Sequence, residues 1–101
     1  MQEEIFGPVL PVITFSTIGE AISIINKKDK ALTVYYFGRS YSNSNLNRVI
    51  EETSSGAVAV NDVISHLINS SFGFGGVGPS GYGRYGGYEG FKAFSNAKSI
   101  Q

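Results

Sequence analysis

The chain has no cysteine and a single histidine, His66, in 101 residues. Without cysteine there can be no disulfide, no thiolate metal ligand and no cysteine nucleophile, and the sequence suits a reducing compartment. One histidine rules out a His-rich metal site and leaves only a mixed carboxylate set open. Charge of either sign is also in short supply: eight basic and eight acidic residues cancel, and they are scattered along the chain. That pattern gives no electrostatic footprint for nucleic acid or an anionic membrane. No apolar run approaches the about 20 residues of a membrane helix. MQEEIFGP carries two acids and no apolar stretch, so it does not read as a secretory signal. These absences predict one soluble, cytoplasmic domain at most, without a nucleic-acid partner or a membrane segment.

Regular patterning occupies the first part of the chain. VLPVITF, residues 9–15, is a β-branched apolar run that predicts a strand, at an edge or broken, because Pro11 cannot donate to a ladder. Thr17 and Glu20 have capping-box spacing, and Ile18, Ala21, Ile22 and Ile25 then fall on one helical face. Lys27 and Lys28 complement the negative end of that helix. LTVYYFG, residues 32–38, reads as a second strand. Ser42 or Asn43 is placed to cap a second helix with an apolar face of Leu46, Val49 and Ile50, ended by Ser54, Ser55 and Gly56. AVAVN, residues 57–61, is a short third strand.

The fold class expected is therefore α/β, with a partial parallel sheet in a βαβαβ core over residues 7–61. Parallel sheets need both faces covered, and two helices cover one face of three strands at best. The other face expects more protein.

What the chain has in quantity is glycine. Nine of its 13 glycines fall between Gly73 and Gly90, and FGFGGVGPSGYGRYGG spans residues 72–87. Gly76, Gly78 and Gly81 match G-x-G-x-x-G, as do Gly81, Gly83 and Gly86. A dinucleotide fingerprint must follow a strand and open a helix, and here Pro79 interrupts the motif and no βαβ unit follows. A solvated low-complexity tail is the second reading. Phe72, Phe74, Val77, Phe91 and Phe94 argue against it, since such tails carry few large apolar groups. The third is a fixed loop, with glycine where φ is positive or backbone approaches closely. We expect this loop over residues 62–90 and a short helix or extended arm over 91–101.

At this point the residues resemble a family. EEIFGPVLP at the start, VNDV at 60–63 and FGGVGPSGYGRY from Phe74 are similar to the C-terminal part of an NAD(P)-dependent aldehyde dehydrogenase, most of all to the class 3, fatty-aldehyde type. The resemblance covers residues 1–101 with the motifs in family order. It implies that Glu4, the carboxylate of E-x-F-G-P, holds the hydroxyls of the nicotinamide ribose, and that Phe6 packs beside the nicotinamide. It further implies that Phe74 lines the aldehyde pocket and that Asn61, at a strand end, stands on the substrate side. Taken alone, Glu4 would be a solvated acid beside Glu3, and Phe6 and Phe74 would be core residues. His66 reads as structural. Two departures from the family pattern stand out: Gly73 where proline is frequent, and Gly86 where the class 3 type has histidine after Tyr85.

The resemblance also implies parts that this chain does not hold. In the family a cysteine nucleophile, a general-base glutamate, an oxyanion asparagine and a Rossmann domain precede E-x-F-G-P. NAD or NADP is accordingly expected in the complete enzyme, with none bound tightly by this chain alone and no aldehyde oxidation by it. The expected partners are the remainder of an aldehyde dehydrogenase or a full-length subunit, in a homo-oligomer that residues 91–101 help to build. A stand-alone, non-catalytic module that docks onto such a protein is the alternative. A flavodoxin-like nucleotide binder is more distant, because FSTIGE makes a poor phosphate loop.

Overall fold

Thr17 starts the first regular element as its sequence spacing requires. Its hydroxyl accepts the Glu20 N–H at 3.2 Å, and helix α1 runs Ile18–Asn26. The return bond of the capping box falls one residue early, since the Glu20 carboxylate accepts from Ser16 N–H at 2.9 Å. Strand β1 (Ala31–Tyr36) follows, then α2 (Ser44–Glu52), β2 (Ser55–Val60), a single-turn α3 (Ser65–Ile68), a 3₁₀ turn at Gly78–Ser80 and α4 (Gly87–Ala93). This computed structural model describes residues 3–39 and 43–101.

Asn43 caps α2: its Oδ1 accepts from Leu46 N–H at 2.9 Å and from the Tyr36 hydroxyl at 3.2 Å, so the cap also ties the helix to β1. Ser42, the other cap considered, lies outside the described residues. The C-terminal ends of the two helices are joined by Asn26 Nδ2 donating to Glu52 O at 2.8 Å. Among the described residues the buried apolar core is Ile22 of α1, Leu46 and Val49 of α2 and Ala59 of β2, and α1 and α2 pack on each other. Ile50, assigned to the apolar face of α2, is half exposed at 50%.

The fold is α/β with a parallel sheet, as expected, but among the described residues that sheet has two strands. β1 and β2 pair from Ala31↔Ser55 to Tyr36↔Val60. The expected first strand does not form: residues 9–15 are extended chain without a ladder, with Val9 62%, Leu10 86% and Val12 82% exposed. Pro11 takes one backbone donor out of this stretch and Pro8 another just before it, and no described residue forms a ladder with the rest. One crossover, through α2, therefore replaces the two expected. The radius of gyration is 16.2 Å, against about 13 Å for a compact domain of this length. The excess reflects the extended segments at both ends.

The stretch after Asn61 is more ordered than its composition predicts. It holds α3, the 3₁₀ turn and an antiparallel bridge between Phe74 and Tyr85, and α4 starts at Gly87, inside the glycine-rich region. Residues 95–101 continue as an extended arm. No described helix is long and apolar enough to cross a membrane.

Candidate active-site face

Backbone strain marks the neighbourhood of the expected site. Among the described residues three non-glycine positions have positive φ: Phe6 at 47°, Asn61 at 53° and Ile64 at 68°. Such conformations are disfavoured by about 1–3 kcal/mol each and persist where surrounding structure enforces them. Two of the three are residues singled out from the sequence. Ile64 was not, and its β-branched side chain makes it the sharpest outlier; periodicity carries no signal for a φ value.

Asn61 ends β2 and clasps it to β1. Its N–H donates to Tyr36 O and its Oδ1 accepts from Gly38 N–H, both at 2.8 Å. The left-handed turn there aims the chain into Asp62. The Asp62 carboxylate accepts from Ser65 Oγ at 2.6 Å and from Val63 N–H at 2.7 Å. Those donors, the Ser65 hydroxyl first, and then the nearby His66 hold its pKa below the usual aspartate range.

Helix α3 delivers His66 to β1. Its Nε2 lies 3.1 Å from Thr33 Oγ1, while Nδ1 is buried without a partner. The ring meets Tyr35 edge-on at 5.7 Å between centroids and Phe74 at 6.3 Å, and Phe74 in turn meets Tyr85 edge-on at 5.4 Å. An aromatic row thus runs from β1 through His66 to Phe74 and Tyr85. His66 keeps the structural role read from the sequence and is also the link that brings Phe74 to the sheet.

Glu4 comes to the same strand from the other direction. It helps line an open cavity of about 540 Å³ with Glu3, Lys28, Asp29, Leu32, Thr33 and Tyr35. Thr33 and Tyr35 stand two apart, on one face of β1, and serve both the Glu4 cavity and the His66–Phe74 row. Phe6 is 92% exposed and is not among the residues that line the cavity or form the aromatic row. An exposed carboxylate over a part-apolar cavity suits a sugar with vicinal hydroxyls, since its two oxygens accept two hydrogen bonds. Among the described residues no group of three or more His, Asp or Glu could hold a metal ion.

The glycines explain how the loop reaches this face. A Cβ on Gly56 would collide with the Gly75 carbonyl oxygen, and one on Gly75 with the Gly83 carbonyl oxygen. Backbone therefore lies on backbone in three layers from β2 outward. Neither G-x-G-x-x-G match links a strand to a helix: residues 78–80 form the 3₁₀ turn, and the second match passes the bridge at Tyr85 before Gly86 leads into α4 with no strand preceding it.

The chain is similar to known proteins along almost all of its length. The sequence model of the aldehyde dehydrogenase family matches residues 1–100. A probable coniferyl aldehyde dehydrogenase of Caulobacter vibrioides is 49% identical over 100 residues, 99% of this chain and 20% of that protein. Aldehyde dehydrogenase family 3 member A2 of Rattus norvegicus is 50% identical over 98 residues, 97% of this chain and 20% of that protein. A solved structure of the substrate-bound state of Staphylococcus aureus AldH superimposes with a TM-score of 0.85 at 43% identity, covering 100% of this chain and 23% of that one. The chain spans about a fifth of the length of the curated relatives it matches. With its motifs, its fold and its full-length match in accord, the chain belongs to the aldehyde dehydrogenase family.

Proposed function

We propose that this chain is the C-terminal part of a cytoplasmic, homo-oligomeric, NAD(P)-dependent aldehyde dehydrogenase that oxidises aldehydes to carboxylic acids. The observation that carries this reading is the convergence of the Glu4 cavity and the Phe74 row on Thr33 and Tyr35 of one strand. In it, Glu4 holds the nicotinamide-ribose hydroxyls and Phe6, exposed and free to be covered, packs beside the nicotinamide. Phe74 and Asn61 bound the aldehyde side. NAD(P), when bound, accepts the hydride. This chain's own residues orient the ribose and exclude water beside the aldehyde; the thiolate comes from outside the chain, which contains no cysteine.

The test is Glu4→Gln in a dehydrogenase subunit that carries these residues. One charged acceptor to a ribose hydroxyl is worth about 1.5–3 kcal/mol, so NAD(P)H binding is expected to weaken roughly 10- to 150-fold. The aldehyde KM should stay within about twofold, because Glu4 does not touch the aldehyde side. An unchanged Kd for the reduced cofactor removes Glu4 from the site. The 101-residue chain alone is expected to form no NADH from aldehyde and NAD, and turnover above trace rates would overturn the reading.

A further inference from the structure

We propose that Arg84 is the positioning residue that sets where Phe74 stands, and hence the width of the aldehyde side of the site. The proposal rests on the aldehyde dehydrogenase reading above and deepens it. The Arg84 Nη2 has two protons and uses both: it donates to Gly56 O at 3.0 Å and to Gly73 O at 3.0 Å. Gly56 lies in β2, and Gly73 immediately precedes Phe74. The next residue, Tyr85, then takes Phe74 in a two-way backbone bridge, with Phe74 N–H to Tyr85 O at 2.7 Å and Tyr85 N–H to Phe74 O at 2.9 Å. The dipeptide Arg84–Tyr85 therefore holds the dipeptide Gly73–Phe74 and anchors both to the sheet.

Arg84 is suited to this by shape. A planar guanidinium presents paired N–H groups in a fixed fork, whereas a lysine ammonium is a single point on a shorter reach. The residue at 73 must be small in this arrangement: a Cβ there would stand 2.6 Å from Glu89 Cγ and 3.3 Å from Arg84 Nε. The glycine that loosens the chain before Phe74 thus makes room for the clasp that tightens it. Arg84 does not line the Glu4 cavity, so its removal should leave the cofactor side alone.

The experiment uses the dehydrogenase subunit that carries these residues, with Arg84→Ala and Arg84→Lys. For Arg84→Ala the aldehyde KM is expected to rise roughly 5- to 30-fold while kcat and the KM for NAD(P) stay within about twofold, a split that general destabilisation does not produce. Arg84→Lys should fall between the two, and it carries the kinetic test if the alanine variant fails to fold. Native-state hydrogen exchange supplies a readout independent of turnover: the amides of Phe74 and Tyr85 should exchange about tenfold faster in the variants, with β1 and β2 amides unchanged. Unchanged exchange at residues 74 and 85, or equal losses in the aldehyde and cofactor KM, overturns the clasp. A wild-type subunit without aldehyde oxidation overturns the function proposed above, and the exchange comparison still decides the role of Arg84.

Discussion

Segments 3–15 and 73–86 both lack regular structure over most of their length, and both carry residues of the proposed site. They are held by opposite means. Residues 73–86 are fixed by backbone contact: glycine against glycine from β2 outward, the Phe74–Tyr85 bridge, and the Arg84 clasp. Residues 3–15 are rich in apolar side chains, yet those side chains are exposed, and the backbone bond found there, Val9 N–H to Gly7 O at 2.8 Å, is local. Hydrophobic content does not decide whether a segment is ordered by its own chain. A partner surface within reach does, and glycine brings one within reach.

Alanine at one glycine in each segment breaks or keeps that contrast, with the largest effect of any change considered. In Gly75→Ala the new methyl meets the Gly83 carbonyl and Arg84 Cα, which are backbone and cannot swing aside. About 3 kcal/mol or more of destabilisation is expected, with loss of the Phe74–Tyr85 bridge. In Gly7→Ala the methyl would lie 3.8 Å from Ile5 O, an ordinary contact. A change below about 1 kcal/mol, in the stabilising direction, is expected there. Urea unfolding of the two variants reads the difference. Equal effects would mean that the loop is not held by its glycine contacts.

Aromatic packing is the second means of holding the loop, and His66 separates it from hydrogen bonding. His66→Ala removes the ring between Tyr35 and Phe74 and should lose roughly 2–3 kcal/mol. His66→Phe keeps a ring, leaves the Thr33 hydroxyl without its partner and removes the orphaned Nδ1. The last two terms, each about 1–3 kcal/mol, oppose one another, so a net change near zero is expected. A phenylalanine variant as unstable as the alanine variant would show that the Thr33 bond holds the row.

The sequence was legible wherever a local rule decides the structure. Thr17 and Asn43 cap the helices predicted for them, and the two strands with a helix between them form within a residue or two of their expected bounds. Residues 9–15 were misread because β propensity reports only that a side chain fits a sheet, while a strand needs a second backbone. The proposed site was partly legible through the family resemblance, which picked out Glu4, Phe6, Asn61 and Phe74. Ile64 and Arg84 were not, because a strained φ and a side chain bonded 28 residues back along the chain are made by tertiary contacts.

The smallest expected effect tests whether the turn into α3 is held as residues 73–86 are or stands exposed as residues 3–15 do. Its anchor is Asp62, held ionised by donation from Ser65 Oγ and Val63 N–H. A carboxylate whose pKa is lowered on folding stabilises above its unfolded pKa, and that contribution is lost as pH falls through the lowered value. The turn should therefore stay intact through the ordinary aspartate range and loosen only below it. The Val63 amide proton, followed by NMR through an acid titration, should move with a midpoint below that of an unpaired aspartate, and Asp62→Asn should abolish the transition. A midpoint at the ordinary aspartate value would mean that the carboxylate is not held. The left-handed turns at Asn61 and Ile64 would then rest on the Asn61 clasp and the packing of His66 alone.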